Sequence, residues 1–196
     1  MSPRSKSQIE EMREKSIRKI YDASLELFAS KGYEATSISQ IAKKAEISKG
    51  LIYNYFDSKL DLLKGLMDSF STVEAEMMTK VVDEDPRKFL ENIFRVFFLE
   101  LRERSGIWKM IASLSLQKDM YEFIHDMALE KLIVYYELLE QLLDQIGIEN
   151  PKGEAKLLAA MFDGIGMHYI VISNEYPLDE VEDYLINKYC KHEKLD

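Results

Sequence analysis

The segment ISKGLIYNYFDSKLDLL, Ile47 to Leu63, sets Tyr53, Tyr55 and Phe56 close together, flanks them with Lys49 and Lys59, and carries a glycine at Gly50. A packed core needs neither the ammonium groups nor the phenol hydroxyls. A surface that meets phosphate uses both, because lysine brings charge and a hydroxyl brings a neutral donor. Glycine on such a surface lets the backbone come close to whatever it faces. These residue types point to a nucleic-acid contact, provided the chain holds them on one outward face.

The flanking sequence offers that scaffold. Residues 9–31 carry Ile17, Ile20, Tyr21, Ser24 and Phe28 three or four apart, the stripe of an amphipathic helix. Gly32 follows at the place of a left-handed C-terminal cap. Ser37 opens a second, short helix; Gln40, three residues on, completes a capping box, and Ile38, Ile41, Ala42 and Ala45 form the buried face. Ser48 caps a third helix through Phe56, and Ser58 with Asp61 opens a long fourth helix to about residue 81. Two short helices joined by a tight turn behind a longer one predict a helix–turn–helix. Ala42 is small where the short helices cross, and Ile47 plugs the turn.

In such a unit the second short helix lies in the major groove, its N-terminal residues toward base edges. Ser48 and Lys49 then lead. Lys49 donates to guanine or phosphate, Gly50 admits a close approach, and Leu51 offers an apolar contact to a thymine methyl. Tyr53, Asn54 and Tyr55 donate to phosphates, and Lys59 adds charge at the start of the fourth helix. Ser37 and the amides behind it turn a helix N-terminus toward another phosphate. Ile52 and Phe56 point inward, and the ring of Tyr53 suits the core as well as it suits DNA.

Gly32, Tyr33, Ser37, Ile38, Ile41, Ala42, Ala45, Ile47, Ser48, Lys49, Gly50, Ile52, Tyr53, Tyr55, Phe56, Ser58, Lys59 and Leu62 stand at an ungapped spacing within residues 15–65. That pattern closely resembles the DNA-binding domain of TetR-family transcriptional regulators. The resemblance implies an all-helical homodimer, usually a repressor, bound to a palindromic operator on double-stranded DNA. It implies that a ligand entering the C-terminal domain shifts the two heads and frees the operator. It implies also that the last two helices, here about 152–174 and 178–191, pair with their mates as a four-helix bundle. The chain departs from the pattern at Glu46, where the turn often has glycine; a positive φ there costs another residue about 1 kcal/mol. It also has a longer N-terminal arm, residues 1–14, whose Arg4, Lys6 and Arg13 are candidate DNA contacts diluted by Glu10, Glu11 and Glu14.

Of 196 residues, 46% are hydrophobic while only 8 are glycine and 4 proline, which favours helices around a substantial core. The single cysteine, Cys190, excludes an internal disulfide framework and a multi-cysteine zinc site. The polar N-terminus does not read as a signal peptide. No stretch approaches the ~18 uncharged apolar residues of a bilayer span. A cytoplasmic protein with no membrane partner is the expectation. The net charge of −9 is unevenly spread: residues 1–65 hold 12 Lys and Arg against 9 Asp and Glu, and the remainder 14 against 26, balances of +3 and −12. A basic head on an acidic body fits DNA, for which the local face matters more than the total.

Beyond residue 65 the helical reading continues without a motif. Asp85-Pro86 starts a helix over about 86–103 that is apolar almost all round, and Ser105-Gly106 breaks it before a helix carrying Trp108 and Met110. Asp119 and Glu122 open another, with a stripe through Leu132, Tyr135, Tyr136, Leu139, Leu142, Leu143 and Ile146. Asn150-Pro151 caps the next, apolar from Ala155 to Ile172, and Tyr176-Pro177 ends it before a last helix over about 178–191. Candidate lining for a hydrophobic small-molecule effector is Phe94, Phe98, Trp108, Met110, Phe123, Met127, Tyr135, Met161, Phe162, His168 and Tyr169. Ordinary core packing competes at each of them. His168 is the polar candidate, with Asp163 beside Gly164 a second, and Gly164 with Gly166 permits close helix approach at a dimer interface.

The chain has no HExxH, Walker loop, GxSxG elbow or neighbouring Cys–His pair, and His125, His168 and His192 lack metal-ligand spacing. Its carboxylates read as solvated helix faces. No enzyme, cofactor or metal is expected. The expected fold is all-α with about nine helices: a helix–turn–helix DNA-binding domain over residues 1–60 and a ligand-binding and dimerisation domain over 61–196. The expected function is a ligand-responsive DNA-binding regulator. Its rivals are a helix–turn–helix regulator without a small-molecule effector and a helical enzyme.

Overall fold

The computed structural model describes residues 6–191. Arg4, His192 and the side chain of Lys6 lie outside the described residues. Within them the chain forms eight α-helices and no strand: α1 (Lys6–Lys31), α2 (Ile38–Lys44), α3 (Lys49–Tyr53), α4 (Lys59–Val81), α5 (Pro86–Ser115), α6 (Tyr121–Gln145), α7 (Pro151–Ile172) and α8 (Leu178–Cys190). Packing divides the chain into two units that meet after Val73, so the first part of α4 belongs to the N-terminal head.

The head is built by its caps and its apolar stripe. Gly32 ends α1 at φ 84, and Thr36 turns its hydroxyl back to the Gly32 carbonyl (2.8 Å), closing the loop between α1 and α2. Ser37 and Gln40 form the reciprocal capping box of α2. The Oγ of Ser48 accepts from the Leu51 amide at 3.1 Å and starts α3. Ser58 caps the Asp61 amide, but the Asp61 carboxylate reaches past Ser58 to the amide of Asp57, 2.9 Å away. Ile20, Phe28, Ile41, Ile52, Leu62 and Leu63 are fully buried together as the core. α3 is shorter than its pattern predicts: it closes at Tyr53 with Asn54 as C-cap, and Phe56 is buried beyond its end. Glu46 takes φ 56, the left-handed conformation that favours the glycine often found at this turn.

The body, from Glu74 on, packs α5 through α8 around Leu90, Phe94, Phe98, Leu101, Leu143, Leu158 and Tyr189. The break expected at Ser105-Gly106 is a kink: α5 runs 30 residues with non-helical dihedrals only at Arg104 (φ −129, ψ 31). The two helices read from the sequence are its two arms. Asp119 does not cap the next helix. A 3-10 turn over Lys118–Met120 leads into α6, which starts without a side-chain cap. Asn150 caps α7 as expected, accepting from the Gly153 amide. Arg87 fastens the ends of the body by donating to the carbonyls of Tyr189 (3.1 Å) and Ile146 (3.0 Å). Arg102 on α5 pairs with Asp179 and the buried Glu182 on α8 at 2.5 Å each. The Cys190 thiol is buried and pushed up to about 12, chiefly by desolvation, which keeps it unreactive.

Against the sequence expectation, one segment, Pro151–Glu175, is long and apolar enough to cross a membrane by length and composition. Only 22% of that window is buried within the chain. Its exposed apolar residues Leu157, Met167 and Val171, with exposed Ala160 and open-sided Gly164 between them, recur at alternating steps of three and four. That spacing is the seam of a helix that pairs with another helix.

Candidate nucleic-acid interface

α3 divides its few residues cleanly. Ile52 is fully buried and anchors the helix to the head core. Ser48, Lys49, Gly50, Tyr53 and Asn54 are exposed, and Leu51 is half-buried. The ring of Tyr53 is therefore a surface group, at 48% exposure, which resolves its two readings against the core. The Lys49 ammonium lies 5.7 Å from the centre of that ring, so charge and hydroxyl share one face.

Gly50 is informative because the head does not need it. A Cβ built there meets nothing nearer than the Ser48 Oγ at 3.9 Å. Glycine inside a helix costs about 1 kcal/mol relative to alanine. Neither packing nor backbone conformation within the chain explains that cost, whereas close approach of an external backbone does.

The neighbouring groups have more to do within the head than their residue types disclose. Lys59 is half-buried; its ammonium donates to the carbonyls of Tyr33 (2.8 Å) and Thr36 (3.1 Å) and sits 4.1 Å from the Tyr33 ring centre. It is a clamp between the start of α4 and the loop before α2, with one proton left to donate outward. Ser37 is exposed, but its Oγ faces both the amide and the side-chain oxygen of Gln40, so the hydroxyl is committed to the cap. Tyr55 is half-buried, edge-on to Phe56, with the Arg13 guanidinium 5.9 Å from its ring centre. Arg13 also pairs with Glu10 at 3.0 Å, so this part of the N-terminal arm is tied to the head and to its own acid.

The body brings only some of the predicted pocket residues together. Phe94 and Phe98 are fully buried, and Trp108, Met161, Phe162 and Tyr169 pack against the same cluster. Phe97, absent from the sequence prediction, is at its centre, 4.5 Å from Phe162 and 5.6 Å from Trp108 between ring centres. Gly166 faces inward: a Cβ there would lie 3.3 Å from Trp108, so this glycine seats the indole, while Gly164 opens outward. Met110 is fully buried, and Phe123 and Met127 are half-buried on α6, apart from that cluster. His168 departs furthest from expectation. It is exposed on α7, its ring 5.7 Å from that of Tyr176. Asp163 is also exposed on α7, although partial desolvation raises its carboxyl above the ordinary range. Tyr135 is half-buried and donates to Glu74, a partner the sequence reading passed over as a solvated carboxylate.

Residues 20–66 match the sequence profile of bacterial regulatory proteins of the tetR family. Over those residues the head is similar to the tetR family. Among curated relatives, it is 34% identical to the uncharacterized HTH-type transcriptional regulator YuxN of Bacillus subtilis over 93 residues, 46% of this chain and 32% of that one. The chain spans 32%, 49% and 64% of the lengths of the first curated relatives it matches. In solved structures the fold recurs in a TetR-like transcriptional regulator from Rhodococcus (TM-score 0.75, 22% identity, 95% of each chain). It recurs also in FadR from Bacillus subtilis in complex with stearoyl-CoA (TM-score 0.70, 18% identity, 89% of this chain and 97% of that one). The stretch similar to the tetR family is thus the one whose caps, buried stripe and exposed cations are described above, and the body shares its fold with these solved structures.

Proposed function

We propose that the chain is a dimeric transcriptional regulator, a repressor by family habit, whose α3 enters the major groove and whose body takes an apolar small molecule that releases the DNA. One observation carries the DNA reading. α3 turns Lys49, Gly50, Tyr53 and Asn54 outward over a fully buried Ile52, and its glycine answers no need within the chain. Lys49 and Gly50 are the residues nearest the bases, Leu51 offers the apolar contact, and Tyr53, Asn54 and Tyr55 fix the register on phosphates. Ser37, Ser48 and Lys59 hold the elements that present them.

The alternating apolar row on α7 supports pairing of two copies through α7 and α8, where Tyr184 is also 65% exposed. Two heads related by a twofold axis read a palindrome whose half-sites are one helical turn, or a multiple, apart. An effector acts only by binding better to the state whose heads do not fit that spacing. FadR, whose fold this chain shares, holds stearoyl-CoA, and the Phe97, Phe162 and Trp108 cluster supports an apolar ligand here.

Selection of binding sites from random duplexes tests the reading. The expected result is enrichment of a two-half-site palindrome by the wild-type chain, lost with Lys49→Ala. Recovery of unselected sequence after repeated rounds, with the protein folded, would overturn it.

A further inference from the structure

Three helical segments of the body bring five ionisable side chains together. They are Glu74 on the last part of α4, Glu100 and Arg104 on α5, and Lys131 and Tyr135 on α6. The Lys131 Nζ lies 2.8 Å from one Glu74 oxygen, and the Tyr135 hydroxyl donates to the other. Arg104 reaches Glu100 only at 3.4 Å. All are partly withdrawn from water: the Glu74, Glu100, Arg104 and Lys131 side chains keep 39%, 22%, 39% and 35% of their exposure. Phe97 precedes Glu100 by three positions and Met127 precedes Lys131 by four, so an aromatic and a thioether group share these helix faces, and the Trp108 ring lies 5.6 Å from that of Phe97. The kink of α5 falls at Arg104, within the cluster.

The two carboxylates are unequally served. Glu74 has two close donors. Glu100 has one weak one, since 3.4 Å is long for a guanidinium–carboxylate bond. Burial raises the Glu100 carboxyl above the ordinary carboxylate range; Arg104 offsets part of that rise, and the Glu74 charge adds to it. An entering anion would face two carboxylates and find both cations already engaged. An entering cation would relieve the repulsion between the carboxylates and offset the charge of the one that lacks a close donor.

We propose that Glu74 and Glu100, with Tyr135 beside them, form the charged end of a site for an amphiphilic organic cation: an alkylamine or quaternary ammonium head on an apolar body. The apolar part lies along Phe97, Trp108 and Met127. The cation competes with Lys131 for Glu74 and so unfastens α4 from α6. That last consequence rests on the regulator reading above, because α4 is the helix that continues into the head.

The probes are dodecyltrimethylammonium and dodecanoate, equal in tail and opposite in charge, each below its micellar range. Trp108, the only tryptophan, reports binding by fluorescence, and calorimetry gives the stoichiometry. The expected result is saturable binding of one dodecyltrimethylammonium per chain, with dodecanoate at least tenfold weaker. Glu100→Gln weakens the cation at least tenfold. Lys131→Ala tightens it severalfold, because Glu74 loses its competitor, a sign that a merely structural lysine does not give. Equal or tighter binding of dodecanoate, an unchanged affinity in Glu100→Gln, or weakened cation binding in Lys131→Ala overturns the proposal. Circular dichroism checks folding, and where one variant fails to fold the other carries the test. Binding of the selected palindrome is measured alongside. Cation binding without DNA binding sinks the regulator reading alone, and DNA binding without cation binding sinks the cation site alone.

Discussion

The head buries most of its apolar side chains and leaves most of its cations outside, the half-buried Lys59 excepted, whereas the body draws ionisable groups into its packing and leaves a row of apolar side chains outside. In the head, Ile20, Phe28, Ile41 and Ile52 have no exposure, and Lys43, Lys44 and Lys49 stand on the surface. In the body, Glu74, Glu100, Lys131 and Tyr135 turn toward one another, while Leu157, Val171 and Tyr184 face outward. The contrast fits what each part meets under the proposed function. A rigid small core with outward charge suits a polyanion of fixed shape. A body with outward apolar rows suits a second copy of itself, and inward charge suits a ligand that changes.

The largest effect that sharpens this contrast is on the head core. Phe28→Ala should destabilise the protein by ~3–5 kcal/mol, the range for a fully buried aromatic, read by urea unfolding. A loss under 1 kcal/mol would mean that the head core is not tightly packed. Next come the two lysines that the sequence treated alike. Lys59→Ala leaves the buried carbonyls around Tyr33 and Thr36 without their donor, so it should lower stability by ~1–3 kcal/mol as well as weaken DNA binding. Lys49→Ala should weaken DNA binding and leave the unfolding midpoint in place. Equal behaviour of the pair in both assays would erase the distinction drawn here between clamp and contact.

Gly50→Ala should move the two properties in opposite directions. It should stabilise the head by ~0.5–1 kcal/mol through helix propensity, because a Cβ has room within the chain. It should also weaken binding to the selected palindrome, measured by anisotropy. A more stable protein with undiminished affinity would show that DNA does not approach at Gly50.

The smallest effect concerns the body. The Glu100 carboxyl is raised in the folded chain, mainly by burial. The folded state therefore holds this proton more tightly than the unfolded one, and ionising it opposes folding. Its contribution to stability falls as pH rises from the unfolded value through the folded one. Glu100→Gln should remove that fall and leave stability at pH 7 unchanged or higher, in unfolding curves at pH 5 and pH 7. A Gln variant weaker at pH 7 would show that the Arg104 pairing outweighs burial.

The head was legible in the sequence because its signals are local. Ser37 with Gln40, Ser48 with Leu51, and Gly32 act within three or four residues, and the structure places each cap as the spacing implied. What escaped was long-range. Lys59 reaches back to Tyr33, 26 positions away, so its charge looked free when it is largely engaged. The body hides more for the same reason. Glu74 and Tyr135 are 61 positions apart; periodicity places Tyr135 on the apolar stripe of its helix, but nothing marks Glu74 as its partner. Glu100 carries no mark of its own either, since Glu91 and Glu103 stand on the same helix. His168 misled because an apolar helix with an outward seam looks the same in sequence as one with an inward pocket.

The most direct test of the central claim is photo-crosslinking from α3. A benzophenone amino acid placed at position 53, on the chain bound to its selected duplex, should attach to DNA within each half-site. The same group at position 184 on α8 should attach to protein or to nothing. Crosslinks to DNA from position 184 with none from position 53 would contradict the account, because the surface that meets DNA would then not be α3.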